Sequence, residues 1–128
     1  MKSKKISQAV ILAGGLGSRL KEITKKTPKP LIKINNFAFL DYLIFNISRY
    51  GFDKILILTG YKHNLFLKRY HNKTLYFNSR VTCFKEKKPL GTGGALLHAK
   101  KKLQSKFLLC NGDTYFDFNI NDLEKSFN

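Results

Sequence analysis

The amino-acid sequence predicts an α/β protein built on a mainly parallel sheet. Three observations support this fold class: four short apolar runs recur along the chain, helix-like segments separate them, and each run is continuously apolar rather than alternating. Continuous apolarity is typical of strands that helices cover on both faces, and alternating strands and helices favour right-handed crossovers. The predicted strands are residues 9–13, 55–59, 80–84 and 107–110.

Helical periodicity separates these predicted strands. Residues 39–50 form the first predicted helix, with Gly51 at the position where a helix would stop. Its apolar stripe consists of Phe39, Leu43, Ile47 and Tyr50. The polar residues that fall elsewhere on this helix are Asp41, Asn46 and Arg49. Further helices are predicted over residues 64–70 and 94–103, and a last one from about Asn121.

The length and composition suit one folded domain, residues 1–128. Hydrophobic residues make up 43% of the chain and include eleven Phe, which excludes a disordered protein. Cys83 and Cys110 lie far apart inside apolar runs and at no metal-ligand spacing, so we expect two buried, reduced thiols. No apolar run approaches the roughly 18 residues of a membrane span, and the start lacks a signal-peptide core. The sequence therefore predicts a cytoplasmic protein with no membrane partner.

The chain carries a formal net charge of +16, from 24 Lys and Arg against eight Asp and Glu. Such a charge attracts polyanions, including triphosphates, nucleic acids and anionic membranes. A lysine-rich surface that serves only solubility explains the same composition. A basic nucleic-acid-binding protein is thus one alternative, and it would bind DNA in a salt-sensitive way.

A glycine-rich turn follows the first predicted strand. Gly14, Gly15 and Gly17 allow backbone N–H groups to approach an anion closely. Ser18 follows them, and Arg19 adds a guanidinium that can bind phosphate at two points. The turn predicts a phosphate-binding loop, although glycines also suit a tight strand-to-helix connection. Its spacing is neither that of the Walker loop nor that of the dinucleotide fingerprint, which disfavours a nicotinamide-dependent dehydrogenase.

Three further loops carry residues suited to phosphate chemistry. Lys29 lies between Pro28 and Pro30, which fix the backbone and present the ammonium group from a stiff segment. Glycines from Gly91 onward precede the third predicted helix, where a base or ribose could lie flat against the backbone. Asp113 follows the fourth strand, where it could bind Mg²⁺ or form an Asx turn or helix cap. Because ligands bind at the carboxyl ends of parallel strands, we expect these loops to meet.

Four segments occur in the order AGGLGSRL, TPKPLIKI, EKKPLGTGGAL and NGDTYFD. Together they resemble the sugar-1-phosphate nucleotidyltransferase family over almost the whole chain. The LGTGGA and NGDT segments are most similar to guanylyltransferases that activate heptose 1-phosphate or mannose 1-phosphate. The resemblance implies a Rossmann-like three-layer sandwich of the nucleotide-diphospho-sugar transferase type, incomplete at the C-terminus. It also implies an enzyme that joins a nucleoside triphosphate to a sugar 1-phosphate, with release of pyrophosphate, in nucleotide-sugar and lipopolysaccharide or capsule biosynthesis.

The resemblance implies roles for individual positions. Arg19 would bind the leaving phosphates, and Lys29 would bridge the α-phosphate and the sugar phosphate. Asp113 would hold Mg²⁺, the expected cofactor, and these three are the predicted catalytic residues. The predicted nucleotide-binding residues are Leu12, Ala13, Gly14, Gly15, Gly17, Ser18, Arg19, Lys29, Glu86, Gly91 and Thr92.

Glu86 occupies the position where this family binds the edge of the base. Guanine presents two donors side by side, and a carboxylate offers two acceptors, so we expect GTP to be preferred. A solvated Glu among lysines is the alternative. The expected partners are therefore a nucleoside triphosphate, GTP favoured, and a sugar 1-phosphate, with no specific nucleic acid and with homo-oligomerisation left open.

The far end of the chain departs from the family pattern. Family members run well beyond this length, and their later portion supplies the sugar pocket and a second carboxylate for the metal. Asp117, Asp122 and Glu124 lie too close to the fourth strand for that role. A truncated, catalytically inactive nucleotide-binding module is therefore the alternative to an active enzyme.

Overall fold

The computed structural model describes residues 5–15, 25–88, 91–117 and 119–127. The strands are β1 (Gln8–Ala13), β2 (Lys33–Ile34), β3 (Phe37–Ala38), β4 (Lys54–Thr59), β5 (Lys73–Leu75), β6 (Ser79–Lys85) and β7 (Leu108–Asn111). The helices are α1 (Phe39–Ser48), α2 (His63–Tyr70), α3 (Gly91–His98) and α4 (Ile120–Phe127). Within these ranges the order of elements is that of an α/β protein, as the sequence predicts.

The main sheet has five strands in the order β5-β6-β4-β1-β7. The last four of these are mutually parallel, and β5 is antiparallel to β6 at one edge. From β1 the chain moves outward to β4 and β6 and then returns to place β7 on the other side of β1. The strand order therefore reverses between β1 and β7, which is where open α/β sheets bind ligands.

Helices cover the sheet on both faces. On one face, α1, α2 and α4 pack against the sheet, with Leu43, Phe66 and Ile120 in the same buried cluster as Ile11. On the other face, Ala95 of α3 joins a second buried cluster with strand residues of β1 and β4. Burial from both sides explains the continuous apolarity of the strands, and the predicted three-layer sandwich is confirmed.

The predicted elements agree closely with the observed ones. Each of the four predicted strands is correct to within one residue at either end. The first helix ends two residues early, at Ser48, because the chain turns through Gly51 at a φ of +89°. The third helix begins earlier than predicted, at Gly91, and ends at His98, with a separate 3₁₀ turn over Lys100–Lys102. The small β2–β3 hairpin and β5 were not predicted, because strands this short carry too little periodicity.

The polar residues of α1 contradict their predicted placement off the core face. Asp41 is 7% exposed and Asn46 is 2% exposed. Asp41 is buried because its carboxylate accepts hydrogen bonds from the backbone N–H of Ala38, at the start of the helix, and from the side chains of Arg69 and Tyr70. The outward side of α1 instead carries aromatic residues.

Two other expectations concern the thiols and the membrane. Cys83 and Cys110 are buried, free cysteines, as predicted. Burial raises the pKa of each thiol to about 12, so both are protonated at neutral pH. In the part of the chain that the structure describes, no helix is long and apolar enough to cross a membrane.

Candidate active site

A cavity of about 360 Å³ opens at the carboxyl ends of β1 and β7, beside the N-terminus of α3. All nine predicted site residues that the structure describes line this cavity. They are Leu12, Ala13, Gly14, Gly15, Lys29, Glu86, Gly91, Thr92 and Asp113. The other three predicted residues, Gly17, Ser18 and Arg19, lie outside the described residues. Each of the four sequence segments therefore contributes described residues to the same cavity.

The Pro-Lys-Pro segment holds Lys29 at the rim of the cavity. A 3₁₀ turn covers Lys29–Leu31, closed by hydrogen bonds from Leu31 N–H to Pro28 O (2.9 Å) and from Ile32 N–H to Lys29 O (3.2 Å). Pro30 and Leu31 are buried, so they anchor the turn in the core. The ammonium group is thus presented from a fixed backbone, as the flanking prolines predict.

Lys29 and Asp113 form an ion pair across the cavity. The Lys29 Nζ atom lies 3.2 Å from Asp113 Oδ2, and the two side chains are 39% and 43% exposed. An ion pair this accessible to solvent contributes little to stability. The pair matters instead for the geometry of the site. It brings the ammonium group of Lys29 and the carboxylate of Asp113, which are 84 residues apart in sequence, close enough to contact the same ligand.

The glycine loop is shaped by two close contacts at Gly14. A Cβ atom added at Gly14 would lie 3.0 Å from Glu86 Oε1. The Glu86 carboxylate therefore occupies space that any side chain at position 14 would fill. On the β4 side, a Cβ added at Gly60 would lie 3.0 Å from the Gly14 carbonyl oxygen. Glycine at position 60 therefore lets the loop backbones after β1 and β4 touch, and glycine at position 14 leaves room for the Glu86 side chain.

The N-terminus of α3 faces the cavity. Gly91 begins this helix at a φ of +71°, a conformation that glycine adopts without strain, and Thr92 and Ala95 also line the cavity. The first N–H groups of a helix have no partner within the helix and carry partial positive charge. This end of the cavity therefore favours an anionic or hydrogen-bond-accepting ligand.

Asp113 is positioned through the backbone of the neighbouring strand. Leu12 pairs with Asn111 across β1 and β7, and the Gly112 N–H donates to the Leu12 carbonyl oxygen at 2.8 Å. A Cβ added at Gly112 would lie 3.0 Å from that same oxygen, so the close approach requires glycine. The distance between the glycine loop and Asp113 is therefore set by main-chain hydrogen bonds.

Asp113 is the described carboxylate of the cavity that is placed to bind Mg²⁺. The described residues contain no group of three or more His, Cys, Asp or Glu side chains that could enclose a metal ion. Mg²⁺ needs no such cage, since it is usually held by one or two carboxylates and completes its shell with water and substrate phosphates. Asp113 offers one partly exposed carboxylate in an open cavity. The residues present therefore fit Mg²⁺ only when it arrives with a phosphorylated ligand.

Four residues that contribute to the site are not among those predicted from the sequence. Pro30, Ala95 and Asn111 line the cavity, and Gly60 supports the glycine loop from behind. Ala95 and Asn111 lie within the EKKPLGTGGAL and NGDTYFD segments, so the same motifs that predict the site also predict that these two residues lie close to it. The sequence carries one signal for Gly60, a glycine directly after a buried strand, but the predicted site involves the loops after the other three predicted strands.

Fold and site together define a class of protein: an open, mainly parallel α/β sheet with a cavity suited to an anionic ligand at its topological switch point. Comparison with known proteins identifies the family within this class. The chain belongs to the nucleotidyl transferase family, whose model matches residues 8–128.

Individual relatives agree with this family. The chain is 38% identical over 125 residues to the D-glycero-α-D-manno-heptose 1-phosphate guanylyltransferase of Aneurinibacillus thermoaerophilus, covering 94% of this chain and 50% of the relative. It is 37% identical to the Campylobacter jejuni protein of the same name, covering 91% and 52%. The crystal structure of HddC from Yersinia pseudotuberculosis complexed with GMP-PN superimposes with a TM-score of 0.83 at 36% identity, covering 94% and 54%. The chain thus spans about half the length of the relatives it matches.

Proposed function

We propose that this chain forms the nucleotide-binding half of a guanylyltransferase, which transfers GMP from GTP to a sugar 1-phosphate of the heptose or mannose class. The observation that carries the proposal is the single cavity in which Lys29, Asp113, Glu86 and the glycine loop meet. The similarity to heptose 1-phosphate guanylyltransferases supports both the base and the sugar.

The chemistry of the reaction suits these side chains. An oxygen of the sugar phosphate attacks the α-phosphorus of GTP, and the bond to the bridging oxygen breaks, so that pyrophosphate leaves. The attacking oxygen is already ionised, and the protein needs to supply position and charge neutralisation rather than a general base. Lys29 would neutralise the α-phosphate and orient the incoming phosphate, while the N–H groups of Gly14 and Gly15 hold the triphosphate.

Asp113 would hold Mg²⁺ together with the phosphate oxygens of the bound nucleotide. The metal ion would neutralise phosphate charge and favour departure of pyrophosphate. Lys29 lies 3.2 Å from the same carboxylate, so it would help to orient Asp113 toward the phosphates.

The proposal is tested by incubating the chain with GTP, MgCl₂ and either heptose 1-phosphate or mannose 1-phosphate. Pyrophosphate should appear only when GTP, metal and sugar phosphate are all present. UTP in place of GTP serves as the control for the base, and EDTA as the control for the metal. Absence of GTP binding in a parallel calorimetric titration would contradict the proposal.

Nucleotide binding without transfer is the second candidate function. It is favoured by the coverage of the relatives, since the chain spans about half their length. The two candidates separate in the same assay, because a binding module retains GTP and releases no pyrophosphate.

A Glu86→Gln substitution tests the preference for GTP. The Glu86 carboxylate lies against Gly14 in the cavity and offers two acceptors to the N1–H and N2 amino group of guanine. Glutamine replaces one acceptor with a donor, so we expect GTP affinity to fall by about tenfold or more while UTP affinity falls less or rises. Glu124→Gln, at a position outside the cavity, is the charge-matched control. An unchanged ratio of GTP to UTP affinity in E86Q would contradict the assignment.

A further inference from the structure

The turn that follows β4 is closed by a hydrogen bond between two side chains. Residues 59–63, which we call the β4 turn, run from the last residue of β4 to the first residue of α2. The Thr59 Oγ1 atom lies 2.6 Å from His63 Nδ1, and the His63 N–H donates to the Gly60 carbonyl oxygen at 3.1 Å. Thr59 is fully buried, so its hydroxyl requires partners within the protein.

The conformation of the β4 turn needs such a bond to hold it. Lys62 has a φ of +56°, in the left-handed region that a residue with a side chain rarely adopts. Residues with an unfavourable backbone conformation persist where the surrounding contacts fix them. The bonds that join His63 to Thr59 and Gly60 close the chain around Lys62. Loss of the Thr59–His63 bond would therefore allow the turn to relax.

The Thr59 hydroxyl also faces β6. Its Oγ1 atom lies 3.4 Å from the carbonyl oxygen of Phe84, at the long end of hydrogen-bond distances. Burial, together with the charges of Lys85 and His71, lowers the pKa of His63, so its ring is neutral at neutral pH. With the proton on Nδ1, the ring donates to Thr59, and the hydroxyl is free to donate to Phe84. One side chain thereby links β4, β6 and α2.

The β4 turn contacts two residues that line the active-site cavity. The Glu86 N–H donates to the Thr59 carbonyl oxygen at 2.7 Å. A Cβ atom added at Gly60 would lie 3.0 Å from the Gly14 carbonyl oxygen, and one added at Gly14 would lie 3.0 Å from Glu86 Oε1. These contacts leave no free space, so a displacement of the turn would change the position of Gly14 relative to the Glu86 carboxylate.

Tyr61 connects the same turn to the segment that precedes the Pro-Lys-Pro turn. Its hydroxyl donates to the Lys25 carbonyl oxygen at 3.0 Å, and Lys25 precedes Lys29 by four residues. The structure describes all of residues 59–63, and none of these five lines the cavity. The β4 turn thus supports the cavity from outside it.

We propose that Thr59 and His63 are positioning residues for the nucleotide: their hydrogen bond fixes the β4 turn, and the turn fixes the Glu86 carboxylate relative to the Gly14 backbone. This proposal rests on the proposed function, in which Glu86 binds the edge of guanine and Gly14 holds the triphosphate. Thr59 and His63 do not line the cavity, so loss of their bond should affect the choice of base. A turn that served stability alone would leave the choice of base unchanged.

Thr59→Val and His63→Ala each remove the hydrogen bond. Valine keeps the shape of threonine, and His63 is only partly buried, so both variants retain the core. In His63→Asn, an amide N–H lies close to the position of Nδ1 and can restore the bond. Asn64→Ala is the matched control, because Asn64 is the next residue of α2, is exposed and lies outside the β4 turn. Calorimetric titrations with GTP and with UTP in MgCl₂ measure the ratio of the two affinities, and circular dichroism establishes that each variant is folded.

We expect Thr59→Val and His63→Ala to lower the ratio of GTP to UTP affinity by about three- to tenfold, the cost of one hydrogen bond. His63→Asn should recover most of this ratio, and Asn64→Ala should keep it. An unchanged ratio in both Thr59→Val and His63→Ala would overturn the role of the β4 turn. If the ratio falls in Glu86→Gln at the same time, the proposed function stands. An unchanged ratio in Glu86→Gln would overturn the assignment of Glu86 and the role of the turn together.

Amide hydrogen exchange tests the same role without a nucleotide. The Glu86 N–H, which donates to Thr59, should exchange about threefold faster or more in Thr59→Val and His63→Ala than in the wild type and Asn64→Ala, as measured by NMR. Equal exchange in all four proteins would overturn the role of the turn whether or not the chain binds GTP. Faster exchange in a chain that binds no GTP would overturn the proposed function and leave the β4 turn as the support of Glu86.

Discussion

Replacing Lys29 with alanine is expected to lower the rate of GMP transfer to a sugar 1-phosphate by about 10²–10³-fold, the usual cost of removing one preorganised charge from a transition state. Lys29 is held by a 3₁₀ turn between buried anchors, so its ammonium group is already in place when the ligand binds. Lys29 would stabilise the negative charge that develops while the bond from the sugar phosphate to the α-phosphorus forms and the bond to pyrophosphate breaks. We therefore expect kcat to fall more than the KM for GTP rises.

Lys33→Ala is the matched control for this experiment. Lys33 lies on β2, four residues away, is exposed and carries the same charge, but it does not line the cavity. Steady-state pyrophosphate release, measured for both variants at saturating and limiting GTP, separates a local effect from a general loss of positive charge. An equal loss in both variants would show that Lys29 acts only through the net charge of the protein.

Replacing Asp41 with alanine is expected to lower the free energy of unfolding by about 3 kcal/mol. The carboxylate accepts hydrogen bonds from the Ala38 N–H at 2.9 Å and from the Tyr70 hydroxyl at 2.6 Å, and both donors would lose their partner. Arg69 would lose an ion-pair partner as well, but its side chain is 37% exposed and regains water. Urea denaturation measures the effect, with the exposed Asp53→Ala as the control expected to change stability by less than about 0.5 kcal/mol.

The same substitution should change the response of the protein to acid. Burial alone would raise the pKa of Asp41, but hydrogen bonds from Arg69, Tyr70 and Ala38 outweigh it and hold the pKa below its ordinary value of 3.8. A depressed pKa stabilises the folded state above the unfolded-state pKa, and this contribution is lost as the pH falls through the folded-state pKa. The difference in stability between wild type and Asp41→Ala should therefore narrow below about pH 4. A difference that stays constant down to acid unfolding would contradict this account.

The fold could be predicted from the sequence because its central strands, β1 and β4, are covered on both faces. Double coverage makes the strands near 9–13 and 55–59 continuously apolar, a signal that survives without any knowledge of tertiary contacts. The position of the cavity could also be predicted. The carboxyl ends of parallel strands lie at one edge of a sheet, and the loops that contain Gly14 and Asp113 follow two neighbouring parallel strands.

Other features could not be predicted, because they depend on contacts between residues distant in sequence. Asp41 reads as a surface residue of an amphipathic helix until Arg69 and Tyr70, 28 and 29 residues later, supply its hydrogen bonds. Gly60 has a role only because the loop after β1 passes against it. The outward rings of α1 are likewise indistinguishable from core residues in a one-dimensional apolar pattern.

The main-chain hydrogen bonds that fix the site also affect how the sequence can diverge. Leu12 and Gly112 are joined through peptide groups, which every amino acid possesses, so the spacing between the two loops does not depend on which side chains fill the core. Substitutions in the interior can then accumulate over evolution without moving Asp113 relative to Gly14, provided that the glycines at the points of contact are kept. A superposition that remains close at 36% identity is the expected outcome of such a design.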